Sequence, residues 1–157
     1  MSKIKGSGEG MYAKRNFVAG TVVSFYNGIR MSADELDEDS KEDWEANAYK
    51  IMDLLGPDDN GKEGVIDIPP EYISMRKYRA SLAHKTNHSF TPNAKFSLFD
   101  HPRFGKVPAV QLIEDVQEGQ EVMVSYDYAL DDAPPWYQEL FTQRLMESYR
   151  KTKTSAF

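Results

Sequence analysis

The sequence contains no cysteine. Disulfides, thiolate zinc ribbons and cysteine nucleophiles are therefore excluded, and an intracellular location is expected. No run of about 18 apolar residues occurs, so no membrane-spanning helix is predicted. The first ten residues, MSKIKGSGEG, lack the apolar core of a secretory signal, and none is expected. Internal repeats of about 20–50 residues are missing too. Nor is there an excess of basic residues. Lys and Arg number 19 against 25 Asp and Glu, a formal charge of −6. Such a chain is a poor ligand for a phosphate backbone, so no direct nucleic-acid partner is expected. It suits basic partners such as lysine-rich peptides, although the same charge also serves plain solubility. At 157 residues the chain can bury one real core and is too short for two comfortable ones.

What is present reads as mainly β. Residues 11–30 suggest short strands, with turns at Ala19-Gly20 and at Asn27-Gly28, the latter a hairpin signal. Ser32 followed by Glu35 matches a capping box and predicts a short acidic helix or turn over the DELDED run. Residues 49–68 alternate around GPDDNG and predict a second hairpin, with Val65–Ile68 as its return strand. A calcium loop there fails. With Gly61 at loop position six, Gly56 stands where aspartate is required; with Gly64 there, Pro70 stands where glutamate is required. Residues 75–88 look partly helical, up to a stop at Pro92. Strands are predicted over 94–99, 107–114 and 121–126. Pro134-Pro135 then opens a helix whose Tyr137, Phe141, Leu145 and Tyr149 share one face, predicted to pack on the sheet. No βαβ alternation is visible, which argues against a dinucleotide-binding doubly wound fold.

Three motifs are candidates for chemistry. HKTNH, residues 84–88, has the histidine spacing of a zinc-protease helix. That helix needs a glutamate after the first histidine, and Lys85 stands there, repelling a metal and unable to serve as the base. No metal site is expected. GSGEG, residues 6–10, is neither a dinucleotide fingerprint nor a phosphate loop, yet its glycines leave backbone groups open to a ligand. Tyr26, Tyr126 and Tyr128 each lie near the end of an apolar strand, where a core tyrosine is the ordinary reading.

Taken in order, GEG, SFYNG, NHSFTPN, EVMVSYDY and PPWY resemble the SET-domain protein lysine methyltransferases. NHS-x-x-PN at 87–93 followed by Glu121-x-x-x-x-Tyr126 carries the resemblance, which runs from about Gly6 to Tyr137. The pattern is most similar to the SET7/9 type, histone H3 lysine-4 methyltransferases with MORN repeats before the SET domain. SFYNG, VID-P-x-Y, SLxHKxNHSFTPN, HPRFG and PWYQ carry that closer likeness, and MORN repeats are absent from this sequence. The resemblance implies a β-rich SET fold over residues 1–130 and a C-terminal aromatic segment and helix, 131–157, closing the site. It implies a knot-like site, in which NHSFTPN threads beneath the segment around EVMVSYDY. It also implies S-adenosylmethionine as methyl donor, with no metal. Gly8, Glu9 and Gly10 would line the donor site through backbone groups. Lys85 would pair with the donor carboxylate, Asn87 with its amino acid part, the His88 backbone with adenine, and Trp136 would stack on adenine. Tyr126 would be the catalytic tyrosine; Tyr26, Tyr128 and Phe96 would shape the lysine channel.

Two departures from the SET7/9 pattern carry expectations. Phe96 stands where that type has a tyrosine whose hydroxyl holds a water and limits the reaction to one methyl. Phenylalanine makes room for a second, so dimethylation is expected. Asn47-Ala48-Tyr49 replaces Asn-Gly-Asn, which puts the H3 lysine-4 preference in question. The expected partner is a lysine-bearing protein segment, histone H3 or another, met by a nuclear monomer. The competing reading is a catalytically inactive SET-fold module that binds lysine peptides.

Overall fold

The computed structural model describes residues 2, 8–32, 49, 51–52, 54–56, 61, 64–74, 76 and 81–154. The DELDED run, the Ser32–Glu35 cap and the Asn47-Ala48 pair fall wholly or partly outside these residues. The chain divides into two compact units, 1–125 and 126–157.

The first unit holds three small sheets. Strands β7 (Ala94–His101) and β8 (Gly105–Leu112) form a long antiparallel hairpin, in register from Ala94↔Leu112 to His101↔Gly105. Its turn is closed by His101, whose Nδ1 accepts from the backbone N–H groups of Arg103 (3.1 Å) and Phe104 (3.3 Å). Gly105 takes φ +68°, a conformation glycine adopts without strain. Strand β2 (Val22–Phe25) adds to the other side of β8, giving the order β2-β8-β7. The predicted second hairpin is present: β4 (Ile51–Met52) pairs antiparallel with β5 (Gly64–Asp67), and β3 (Ile29–Ser32) lies on the far side of β5. A short helix, α1 (Pro70–Ile73), follows.

Asn27-Gly28 is not a hairpin turn. β2 pairs with β8 and β3 with β5, so the chain leaves one sheet and enters another at this point. Glycine is needed there for a different reason, since a Cβ on Gly28 would collide with the Asp67 carbonyl.

The third sheet positions the HKTNH segment. β1 (Met11–Tyr12) runs antiparallel to β9 (Glu121–Val124), and β6 (Asn87–His88) runs parallel to it. A parallel neighbour needs a crossover, and residues 89–120, including the β7–β8 hairpin, provide it. Asn93 locks the pairing: its Nδ2 donates to the Glu121 carbonyl and its Oδ1 accepts from the Met123 N–H, both at 2.9 Å. The Ser89 N–H adds a bond to the Val124 carbonyl at 2.8 Å. Val110 and Leu112 of β8 and Val122 and Val124 of β9 are fully buried, so the apolar faces of these strands supply much of the hydrophobic stabilisation.

The second unit contains a 3-10 turn, Leu130–Asp132, and helix α2 (Pro135–Thr154). Its expected buried face is only partly realised. Tyr137 is buried and Phe141 half-buried, whereas Leu145 is 62% exposed. Residues four apart drift about 40° per step around a helix, so Leu145 is rotated about 80° from Tyr137. Among the described residues no helix is long and apolar enough to cross a membrane.

Candidate active site

HKTNH does not lie on one helix. Ala83–Lys85 form a 3-10 turn and Asn87–His88 form β6, so its histidines belong to different elements. Among the described residues no three His, Cys, Asp or Glu side chains gather as a metal cluster. What the segment presents is a buried cation.

Lys85 is 4% exposed. Its Nζ lies 2.9 Å from Glu9 Oε2, donates to the Tyr49 hydroxyl at 3.0 Å, and sits 4.4 Å from the centre of the Tyr49 ring. An ammonium has three N–H donors, so one remains for another acceptor. The Lys85 hydrogen bond, against a smaller opposing effect of burial, holds the Glu9 carboxyl below its ordinary range. The Glu9 side chain thus pairs with Lys85, whereas the sequence reading expected only backbone groups from this residue to matter.

Asn87 is fixed from two sides. Its Nδ2 donates to the Glu9 carbonyl (3.1 Å) and to Glu121 Oε1 (2.9 Å). Both amide hydrogens are committed, which sets the orientation of the amide and leaves Oδ1 as its acceptor. Glu121 is itself buried. It accepts from Ser2 Oγ at 2.7 Å and from the Tyr12 hydroxyl at 3.2 Å. Gly10 passes directly over this carboxylate, and a Cβ there would collide with Glu121 Oε1. Gly8 takes φ +66° with open space around it. His88 is buried, with its ring edge-on to Phe90 at 4.4 Å.

Tyr26 and Phe96 come together in the same unit. Their rings meet edge to face at 5.9 Å, and the Tyr26 hydroxyl donates to the Tyr49 carbonyl at 2.6 Å. His84 packs edge-on to the Tyr49 ring at 5.5 Å, and its Nε2 is buried with no hydrogen-bond partner among the described residues. Burial, then the neighbouring Lys85 charge, lowers the His84 pKa to about 4.

The second unit groups the remaining candidates. Tyr126 and Tyr128 flank Asp127, which has φ +49°, and their rings meet at 5.8 Å. Trp136 lies 6.3 Å from Tyr126 and 6.2 Å from Tyr128, and is 43% exposed. Tyr137 completes the cluster, 5.2 Å from Tyr128. Burial, and then Tyr137, raise the Tyr128 hydroxyl above the ordinary tyrosine range. Edge-to-face contacts of this kind fix ring orientation.

Sequence reasoning missed Glu121 and Tyr49 as site residues. Glu121 opens the E-x-x-x-x-Y pattern, which offered a signal; Tyr49 was flagged only within the Asn47-Ala48-Tyr49 departure from the SET7/9 pattern.

The SET-domain family model matches residues 8–127. A histone-lysine N-methyltransferase SETD7 from Halocynthia roretzi is 42% identical over 145 residues, covering 87% of this chain and 35% of that relative. The chain therefore spans about a third of the length of the relative it matches.

Proposed function

This chain belongs to the SET-domain family, and we propose on that premise that it is an S-adenosylmethionine-dependent protein-lysine N-methyltransferase. The observation that carries the reading is the pairing of Lys85 with Asn87. The amino acid end of the methyl donor bears a carboxylate and an ammonium. Lys85 offers a buried N–H for the first, and Asn87 a fixed Oδ1 for the second. Gly8, Glu9, Gly10 and the His88 backbone are assigned to the rest of this subsite. Trp136, with an exposed aromatic face, is assigned to adenine. When bound, the donor supplies an electrophilic methyl group on a sulfonium.

The chain's own residues then have two tasks. A free lysine amine has a pKa of about 10.4 and must be neutral to attack. An apolar, water-poor channel lowers that pKa by penalising the ammonium. The aromatic rings of Tyr26 and Phe96 suit such a wall, and we assign Tyr128 to the same channel. The second task is aiming the amine, which fixed hydroxyls and carbonyls perform at no reorganisation cost. Tyr126 is assigned as the catalytic tyrosine. Phe96 adds no hydroxyl beside Tyr26, so the product assigned is dimethyl lysine. The substrate assigned is a lysine-rich protein segment, histone H3 being the first to try given the relative's name. A nuclear, monomeric protein without a metal requirement fits this assignment.

Titration calorimetry with S-adenosylhomocysteine tests the subsite. Asn87→Ala should weaken binding about ten-fold or more, because it removes a charge-assisted bond. Equal affinity in the variant would contradict the assignment.

A further inference from the structure

Tyr49 touches both halves of the proposed site through different atoms. Its hydroxyl and ring face hold the Lys85 ammonium, at 3.0 Å and 4.4 Å. Its main-chain carbonyl accepts the Tyr26 hydroxyl at 2.6 Å. Its ring is braced from the side by His84. Glu9, Lys85, Tyr49, Tyr26 and Phe96 therefore form one unbroken series of contacts within the first unit.

A buried ammonium needs an opposite charge and further hydrogen-bond acceptors. Glu9 supplies the charge, but its side chain is 47% exposed, so solvent weakens the pair. The Tyr49 hydroxyl and ring supply what Glu9 does not. Lys85 in return anchors the Tyr49 ring, which holds the carbonyl beneath Tyr26. From this geometry we infer that Tyr49 is a positioning residue that couples the donor-binding cation Lys85 to the lysine-channel residue Tyr26. The inference rests on the methyl-donor reading and adds to it the residue that ties donor affinity to lysine alignment.

The two roles use separable atoms, so two substitutions separate them. Tyr49→Phe removes the hydroxyl and keeps the ring and carbonyl. It should weaken S-adenosylhomocysteine about three- to ten-fold, with a smaller effect on kcat than on affinity. Tyr49→Ala removes the ring that anchors the carbonyl. It should weaken the same ligand and also lower kcat about ten-fold or more, through misalignment at Tyr26. Calorimetry gives the affinities, and methylation of a histone H3 N-terminal peptide gives kcat. A double-mutant cycle on affinity supplies the control for a merely structural role. In a Lys85→Met background, Tyr49→Phe should have no further effect. Wild-type affinity in Tyr49→Phe, or full additivity with Lys85→Met, would overturn the inference while leaving the methyl-donor reading intact. Failure of the unmutated chain to bind S-adenosylhomocysteine would remove that reading and the inference with it. If Tyr49→Ala does not fold, the Tyr49→Phe cycle decides alone.

Discussion

Phe96 presents a hydrocarbon ring to the edge of Tyr26, where a tyrosine would add a hydroxyl. Phe96→Tyr should therefore move product from dimethyl toward monomethyl lysine, read by mass spectrometry. An unchanged product ratio would show that this position does not set the methyl count. His84 yields a second prediction. Its folded pKa of about 4 lies below the ordinary 6.5. An unfolded chain then binds the proton more readily than the folded one between these values. The contribution is present in full above pH 6.5 and is lost as pH falls toward 4. Urea titrations across that window should show stability falling with pH, and His84→Gln should flatten the fall. Equal slopes would mean that other groups, the depressed Glu9 carboxyl among them, carry it. Of the residues chosen from motif, Glu9 touches both Lys85 and Asn87, although the three lie in a loop, a 3-10 turn and strand β6. Tyr49 was flagged only as part of the Asn47-Ala48-Tyr49 departure, and its contacts were not legible, because half of them belong to a main-chain carbonyl, which every residue type possesses. Its ring contact with Lys85 joins positions 36 apart in sequence, with no local pattern to announce it.

Strand β9 is the element on which the site depends, since it carries Glu121 and aligns β6 beside it. Asn93 makes two backbone bonds to β9 from one side chain. Asn93→Ala leaves a part-buried N–H and a carbonyl short of partners, and should cost about 2–4 kcal/mol in urea unfolding. A loss under about 0.5 kcal/mol, the ordinary surface value, would show that β9 is held by its strand neighbours alone. Strands β7 and β8 were legible from their apolar runs, though their pairing as a hairpin was not foreseen. Asn27-Gly28 was misleading. Turn chemistry is local, but β2 and β3 find their partners at β8 and β5, and side-chain packing across those pairs overrides the dipeptide. The parallel β6–β9 pairing had no signature of its own outside the family resemblance, since two short segments joined by a long crossover leave no periodicity to read.

At the scale of the whole molecule, the charge of −6 favours encounter with a basic segment, and parallel pairing of β6 with β9 holds Asn87 and His88 in place. The central claim is methyl transfer to lysine. It is tested most directly by incubating the chain with S-adenosylmethionine, EDTA and a panel of lysine peptides that includes the histone H3 N-terminus, then measuring peptide mass. Tyr126→Phe runs alongside as the control. The account predicts the mass of two added methyl groups on at least one peptide, unaffected by the chelator. It predicts a loss of about 100-fold or more in Tyr126→Phe, which should still bind S-adenosylhomocysteine. No mass gain on any peptide, from a chain that binds neither S-adenosylmethionine nor its demethylated product, would contradict it.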